Sequence, residues 1–269
     1  MRKTTKAGMV LMLMAGIARA AAARADEWDL GTTPSFTDNT ASTVNAMFHG
    51  AQQLHDVGGP GGGVVDQDWY FVASDQFSSY QFVIDGMTGR VNLTNATVKR
   101  IAADGVTVVE DGFVGNSGGV VSLAWLGPGA GTTTSLPNFV RIQGASCGSS
   151  CFGTDRYRAR FYDTTYTVPR FNNSGSQSTI FVIQNASAHP CVVATHFFDA
   201  AGTLLATSQA GTVNRRQSLV FNTAVSVPNQ SGTARIVHTC GYGGLAGKAV
   251  ALEPSTGFTF DTALLHRPH

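Results

Sequence analysis

Residues 147–173 read CGSSCFGTDRYRARFYDTTYTVPRFNN, and this stretch organises the rest of the chain. Within it, Arg156, Arg158 and Arg160 alternate with two aromatic residues and an alanine. Successive side chains of a β-strand point to opposite faces, so this alternation predicts a half-buried strand with one cationic and one apolar face. The chain also has 31 glycines and many threonines, valines and phenylalanines, a composition that favours strands and turns. We therefore expect an all-β protein.

The same stretch predicts a division into two β-sandwich domains in tandem. It ends at Pro169 and the polar run 172–176, which is typical of a joint between domains. Short alternating segments separated by turns occur on both sides of it. The predicted strands are residues 66–72, 79–85, 97–101, 106–110, 120–125 and 139–143, then 179–184, 192–198, 203–207, 218–222, 234–239 and 248–252. We predict a first domain at 26–163, in which residues 41–54 form a short helix, and a second at 164–269.

The N-terminus has the features of a secretory signal peptide over residues 1–25. Three basic residues among the first six precede an apolar run at 7–18, and Ala-Arg-Ala at 23–25 offers a cleavage site. The apolar run is too short to span a bilayer, although a retained anchor is the alternative. We expect the mature chain to be secreted, or held at the cell surface or in the periplasm.

Removal of the signal changes the charge of the chain. Taking its five basic residues from the 18 in the whole sequence leaves 13 against 17 acidic residues, a net charge of −4. A mildly acidic protein with scattered charges is a poor candidate for nucleic-acid binding. No later apolar run is long enough to span a membrane, so we expect no membrane span in the mature chain.

The four cysteines form two candidate disulfides. Cys147 and Cys151 are separated by small residues that allow a short loop to close, and an exported protein meets an oxidising environment. Cys191 and Cys240 form the second candidate pair. An even number of cysteines fits this interpretation.

A zinc site is the alternative for the second pair. His196 and His238 lie close to Cys191 and Cys240 in sequence and complete a Cys₂His₂ set. Strand parity places His196 on the face opposite Cys191, so a tetrahedral site would need a β-bulge. The sequence therefore favours the disulfide.

Four segments of the first domain together resemble a known family. They are DQDWYFV at 66–72, SYQFVID at 79–85, VRIQG at 140–144 and DRYRARFY at 155–162. Their order resembles bacterial pre-peptidase C-terminal domains, small jelly-roll-like β-sandwich modules appended to secreted proteases and other exported proteins. The resemblance covers about half of the mature chain and implies a non-catalytic accessory module. Some relatives bind calcium through acidic residues near the sandwich edge, and some bind the substrate of their host enzyme.

The resemblance makes calcium the one cofactor to consider. Asp66 and Asp68 match the family's acidic pair before the aromatic strand. Calcium takes six to eight oxygen ligands, so two carboxylates do not complete a site, and nothing in the sequence brings Asp38 close as a third. The alternative is that Asp66 and Asp68 cap a turn and stay solvated.

Two further groups are candidate ligand contacts. Trp69 and Tyr70 offer a stacking platform for a sugar, although a strand tryptophan of this kind is more often part of the core. Arg156, Arg158 and Arg160 offer a row of cations to an anionic polymer, with a solvated outer face as the alternative.

The second domain has about seven predicted strands, the number that an immunoglobulin-like sandwich needs. Its segments PRFNN at 169–173, DAAGTLL at 199–205 and GLAGKAVAL at 244–252 resemble a β-sandwich module that recurs behind such domains in exported bacterial proteins. The resemblance implies no biochemical activity.

One motif has the appearance of a catalytic site. GNSGG at 115–119 matches the G-x-S-x-G pattern around a nucleophilic serine, here Ser117. The hydrolase pattern requires a strand, a turn and a helix, and no helix is predicted after Ser117. The flanking strands favour a glycine-rich turn.

The sequence thus predicts an exported, non-enzymatic protein that binds an extracellular protein or glycan, or acts as an accessory module. A self-assembling structural subunit, whose partners are copies of itself, is the alternative. A serine hydrolase built on Ser117 is the second alternative.

Overall fold

A computed structural model shows an all-β chain. It describes residues 38, 40–43, 45–56, 67–88, 96–111, 113–115, 119–129, 136–144, 156–208 and 211–268. These residues form nineteen strands in four antiparallel sheets, with one 3₁₀ turn at Thr223–Val225. In these ranges no helix is long and apolar enough to cross a membrane. The predicted all-β class is confirmed.

Nine of the described strands form two sheets between residues 52 and 163, which we call the first half. In chain order they are β1 (Gln52–Asp56), β2 (Gln67–Ser74), β3 (Ser79–Asp85), β4 (Ala96–Ile101), β5 (Val108–Asp111), β6 (Phe113–Gly115), β7 (Val120–Leu126), β8 (Leu136–Gly144) and β9 (Arg156–Asp163). One sheet has the order β1-β9-β3-β7-β6 and the other β2-β8-β4-β5.

These two sheets enclose a common core. Tyr70 and Val140 enter it from one sheet, and Phe82 and Phe161 enter it from the other. The predicted strand with three arginines is β9, and its buried residues alternate with its arginines as expected. Burial of one face of each sheet is the largest favourable contribution to this packing.

Ten further strands form two sheets between residues 166 and 266, the second half. They are β10 (Tyr166–Asn172), β11 (Ser178–Asn185), β12 (Cys191–Phe198), β13 (Leu204–Thr207), β14 (Gly211–Val213), β15 (Ser218–Asn222), β16 (Ser231–His238), β17 (Leu245–Glu253), β18 (Phe258–Ala263) and β19 (Leu265–His266). One sheet has the order β13-β12-β16-β10-β19, with β14 also pairing with β12, and the other β15-β11-β17-β18. Their core contains Phe171, Phe181, Phe197 and Ile236.

The helix predicted over residues 41–54 is wrong. β1 begins at Gln52, and the chain before it runs beside β2 instead of coiling. The Phe71 N–H donates to the Asn45 carbonyl at 2.8 Å, and the Met47 N–H donates to the Phe71 carbonyl at 3.0 Å. Pairing with a neighbouring strand satisfies these backbone groups in place of helical hydrogen bonds.

The C-terminal end of the stretch 147–173 also differs from the prediction. Pro169 does not lie in a joint but inside β10, which pairs with β16 and β19. The register of the β10–β16 ladder shifts between Val168 and Phe171, and such irregularities are where a strand tolerates proline.

The change from one half to the other occurs at Thr164 and Thr165, between β9 and β10. Thr164 is buried and its N–H donates to the Ser79 carbonyl at 2.7 Å, while the Ser79 N–H donates to Thr165 Oγ1 at 2.9 Å. This connection is therefore hydrogen-bonded to the start of β3. The domain boundary at residue 163 stays a prediction.

Candidate functional site

A cleft of about 630 Å³ lies where the two halves meet. The first half contributes Gln81, Ser122 and Ala124 from β3 and β7, and the second half contributes residues 187–190 and 239–241. A volume of this size falls within the usual range for small-ligand sites, about 300–1,000 Å³.

Strand alternation explains the wall from the first half. In β7, Val121, Leu123 and Trp125 are buried in the core, so Ser122 and Ala124 point the other way, into the cleft. The core therefore holds β7 in place through one face of the strand, and the other face forms this wall of the cleft.

Gln81 links the two walls. Its Nε2 donates to Ser122 Oγ at 3.0 Å, and its Oε1 accepts from the Tyr242 N–H at 2.7 Å. Gly241 lies against this amide with a φ of +82°, and a Cβ at that position would lie 2.9 Å from Gln81 Nε2. The positive φ therefore favours glycine here, and the missing side chain leaves room for the Gln81 amide.

The wall from the second half is held by polar contacts and by a disulfide. The buried amide of Asn185 donates to the His189 carbonyl at 2.8 Å and to the Val213 carbonyl at 2.9 Å. The Cys191–Cys240 disulfide joins the start of β12 to the chain just after β16, with the Cα atoms 4.9 Å apart. The disulfide confirms the predicted pairing and leaves neither of its sulfurs for the alternative zinc site.

Glu110 adds a carboxylate to the cleft. It lies 3.2 Å from the Arg100 Nε, and burial raises its pKa while the arginine opposes that rise. The cleft thus contains several groups that can form hydrogen bonds with a polar ligand. They are the side chains of Gln81, Glu110, Ser122, Ser187, His189 and Thr239.

A second constellation lies inside the first half. Asp38, His55 and Asp68 come together with side chains at most 2% exposed. His55 Nδ1 is 3.6 Å from Asp38 Oδ2 and 3.5 Å from Asp68 Oδ1, and one ligating atom from each residue lies within 4.8 Å of the others.

Further polar groups surround this cluster. The Tyr157 hydroxyl donates to Asp68 Oδ2, and it lies 2.8 Å from the Tyr70 hydroxyl. Burial raises the pKa of Tyr157 well above its ordinary value, so this hydroxyl keeps its proton and acts as a donor. His55 Nε2 lies 3.0 Å from Gln53 Oε1, on the side of the ring away from Nδ1.

The structure places the predicted site residues of β2 in the interior. Asp68 shares the core-facing side of β2 with Tyr70, so it is not a solvated turn cap. Trp69 is buried on the other side of the strand. Its ring centroid lies 6.1 Å from that of Phe139 and 5.4 Å from the Arg141 guanidinium carbon. Asp66 lies outside the described residues.

The arginines of β9 do not form a free row of cations. Arg158 Nε donates to Asp85 Oδ1 at 2.6 Å, and Arg160 forms an ion pair with the same carboxylate. Arg156 is exposed at the start of the strand. Asp85 therefore neutralises part of the positive charge on the β9 face that was predicted to bind an anionic polymer.

The predicted signal peptide over residues 1–25, the Cys147–Cys151 disulfide and Ser117 also lie outside the described residues. The strands that flank Ser117, β6 and β7, pair with each other antiparallel.

Sequence reasoning missed His55 and Tyr157 as members of the buried cluster. His55 lies in QQLHD, which has no clear period, and Tyr157 looks like an ordinary core residue of β9. A short parallel contact between residue 46 and β2 helps to bring the Asp38 segment close to His55 and Tyr157. No local sequence pattern predicts that contact.

Comparisons with known proteins leave the family open. No protein-family model matches the chain, and no curated protein matches it. Among solved structures, the full extracellular region of zebrafish Gpr126/Adgrg6 aligns over 81% of this chain at 9% identity, with a TM-score of 0.24. The chain spans 30% of the length of that structure. A likeness this weak identifies neither a shared fold nor a shared function.

Proposed function

We propose that this chain is an exported, non-enzymatic protein of two β-sandwich domains that binds an extracellular protein or glycan. The supporting observation is the cleft of about 630 Å³ whose walls come from both halves. Sites where two structural units meet are common places for ligand binding. Gln81 donates a hydrogen bond to Ser122 and accepts one from the Tyr242 N–H, and these bonds hold the walls in fixed positions before a ligand arrives.

The domain types that we propose are a pre-peptidase C-terminal-like sandwich followed by an immunoglobulin-like sandwich. Two sheets around one core in each half support this division. One feature differs from immunoglobulin domains, whose conserved disulfide joins the two sheets. Here Cys191 and Cys240 extend adjacent strands of one sheet, because Val193 pairs with His238.

The buried cluster does not support a catalytic role. Among the described residues, the set of Asp38, His55 and Asp68 has the chemical groups for acid–base catalysis. Those side chains are at most 2% exposed, so a substrate would not reach them without opening of the sandwich.

Filling the cleft should weaken partner binding without unfolding the protein. Ala124→Arg places a long side chain in the cleft from the half-buried outer face of β7, so we expect partner affinity to fall about tenfold or more. The test is affinity capture from the envelope and medium fractions of the source organism, with residues 26–269 immobilised.

The matched control is Ala201→Arg, which adds the same side chain to the exposed turn before β13. Recovery of the same partner by the wild type and by this control, but not by Ala124→Arg, supports the proposed site. Equal recovery by both variants would place the ligand elsewhere.

Self-assembly is a second candidate, favoured by the edge strand β18. Phe258 and Phe260 lie on one face of this strand and are 65% and 60% exposed. They line a cavity of about 290 Å³ with Ala249 and Ala251 of β17. Among the described strands β18 pairs with β17 alone, and an apolar edge of this kind is open to strand addition.

If the chain self-assembles through β18, replacing Phe258 and Phe260 with serine should keep it monomeric. The measurement is the molar mass by light scattering over a range of concentrations. Val106→Ser removes an apolar residue that is even more exposed, from the β4–β5 turn, and should leave assembly intact. A wild-type mass that stays that of one chain at every concentration would reject self-assembly.

A further inference from the structure

We propose that Asp38, His55 and Asp68 bind a divalent transition-metal ion, represented by zinc, in a buried structural site. Such an ion ties the segment before β1 to the first half. This site is separate from the cleft and does not depend on the binding function proposed above.

The fold brings the three residues together from three separate segments. His55 lies in β1 and Asp68 in β2, and these strands belong to different sheets. The Asp38 carbonyl accepts a hydrogen bond from the Trp69 N–H at 2.7 Å, which holds the Asp38 segment beside β2. An ion at this position would connect both sheets of the first half to the segment before β1.

The distances in the cluster fit a metal better than a direct ion pair. A charged N–H to carboxylate hydrogen bond is usually about 2.7–2.9 Å long, whereas His55 Nδ1 is 3.6 and 3.5 Å from the two carboxylate oxygens. Zinc bonds to nitrogen and oxygen are about 2.0–2.2 Å, so neighbouring ligands of a tetrahedral site are about 3.3–3.6 Å apart. The observed separations fall in that range.

The hydrogen bonds of Gln53 fix the histidine tautomer that a metal requires. Gln53 Nε2 donates to Asn45 Oδ1 at 2.8 Å, so its Oε1 is the atom that faces His55 Nε2 at 3.0 Å. His55 Nε2 then carries the hydrogen and donates it, and the lone pair of Nδ1 points between the carboxylates. Metal-bound histidines usually donate their other N–H in this way.

Asp68 supplies an independent indication. Its Oδ2 accepts a hydrogen bond from Tyr157, while its Oδ1 is buried without a hydrogen-bond partner and faces His55 Nδ1. Buried carboxylate oxygens are normally paired or coordinate a metal. A cation in the cluster would supply the missing interaction.

The donor set of the cluster, one imidazole nitrogen and two carboxylates, indicates which kind of ion it would hold. An imidazole ligand suits zinc and its first-row neighbours, while calcium prefers an all-oxygen set.

The experiment titrates the chelator-treated mature chain with zinc by calorimetry. We expect one tight site per chain, with a higher melting temperature when zinc is present. Asp38→Asn should weaken zinc binding by about 100-fold or more, beyond the usual cost of changing an outer-shell residue. Asp75→Asn, an exposed aspartate after β2, is the matched control and should bind as the wild type does.

Cobalt absorption tests the wild-type chain without any variant. A four- or five-coordinate nitrogen–oxygen site gives visible cobalt bands, which one equivalent of zinc should remove. The proposal is overturned if the wild type binds no zinc, or if Asp38→Asn, shown by circular dichroism to be folded, binds it equally well. Binding of calcium but not of zinc or cobalt would also overturn it.

Discussion

Replacing Cys191 and Cys240 together with alanine should lower the free energy of unfolding of the second half by about 4 kcal/mol. The disulfide closes a loop with a sequence separation of 49, and the chain-entropy model for a loop of that length gives this magnitude. The loop contains β12 to β16, so the cross-link restricts much of the second half in its unfolded state. A loss of this size is a large share of the stability of an ordinary domain.

The positions of the tryptophans allow the halves to be followed separately. The chain has three, at 28, 69 and 125, and all precede the second half. Urea unfolding followed by circular dichroism should show a weakened transition for the second half, while tryptophan fluorescence should report an unchanged first half. A shared shift of both signals would show that the halves unfold as one unit.

Reduction provides the control for packing changes. Adding a reductant should weaken the second half of the wild type but should have no further effect there on the Cys191→Ala/Cys240→Ala variant. A variant within about 1 kcal/mol of the oxidised wild type would contradict the prediction, because the loss would then be far below the entropic value.

The sequence predicted strands best where local alternation is clean. The predicted strands at 79–85 and 218–222 coincide with β3 and β15, and most others agree within a few residues at each end. β1 has no such signal, because QQLHD has no alternation and both of its buried residues, His55 and Asp56, are polar. Their burial depends on partners far away in sequence, which a local pattern does not contain.

The candidate sites differ in the same way, because some depend on local sequence and others on contacts between distant residues. The Cys191–Cys240 disulfide was predictable because it needs two cysteines and an oxidising compartment. The cleft was not, because its walls come from β7 and from residues 187–190, which only the packing of the halves brings together. Nor was the position of Asp38 beside Asp68 predictable, because the backbone contact with Trp69 that brings it there has no sequence signal.

Acid should destabilise the second half through His238. This histidine is fully buried, and burial lowers its pKa from 6.5 to about 4, although the backbone of Thr164 weakly favours the protonated ring. Its Nδ1 accepts a hydrogen bond from the Cys240 N–H at 3.1 Å, while its Nε2 has no hydrogen-bond partner of normal geometry. The folded protein therefore holds this ring in its neutral form.

The direction of the pH effect follows from the two states. Below pH 6.5 the unfolded chain binds a proton on this histidine, and the folded chain does not bind it until about pH 4. The contribution of His238 to stability is therefore fully present above pH 6.5 and falls as the pH decreases towards 4. A shift of this size corresponds to about 3 kcal/mol.

His238→Asn isolates the effect of this one group. The asparagine oxygen lies near the position of Nδ1 and can accept from the Cys240 N–H, but it does not titrate. Urea unfolding of the second half between pH 6.5 and 4 should therefore show a weaker pH dependence in the variant, by about 3 kcal/mol across the range. His189→Asn, at an exposed histidine in the same half, should retain the wild-type dependence. If His238→Asn retained it as well, the acid sensitivity would belong to other groups, and burial of His238 would not control it.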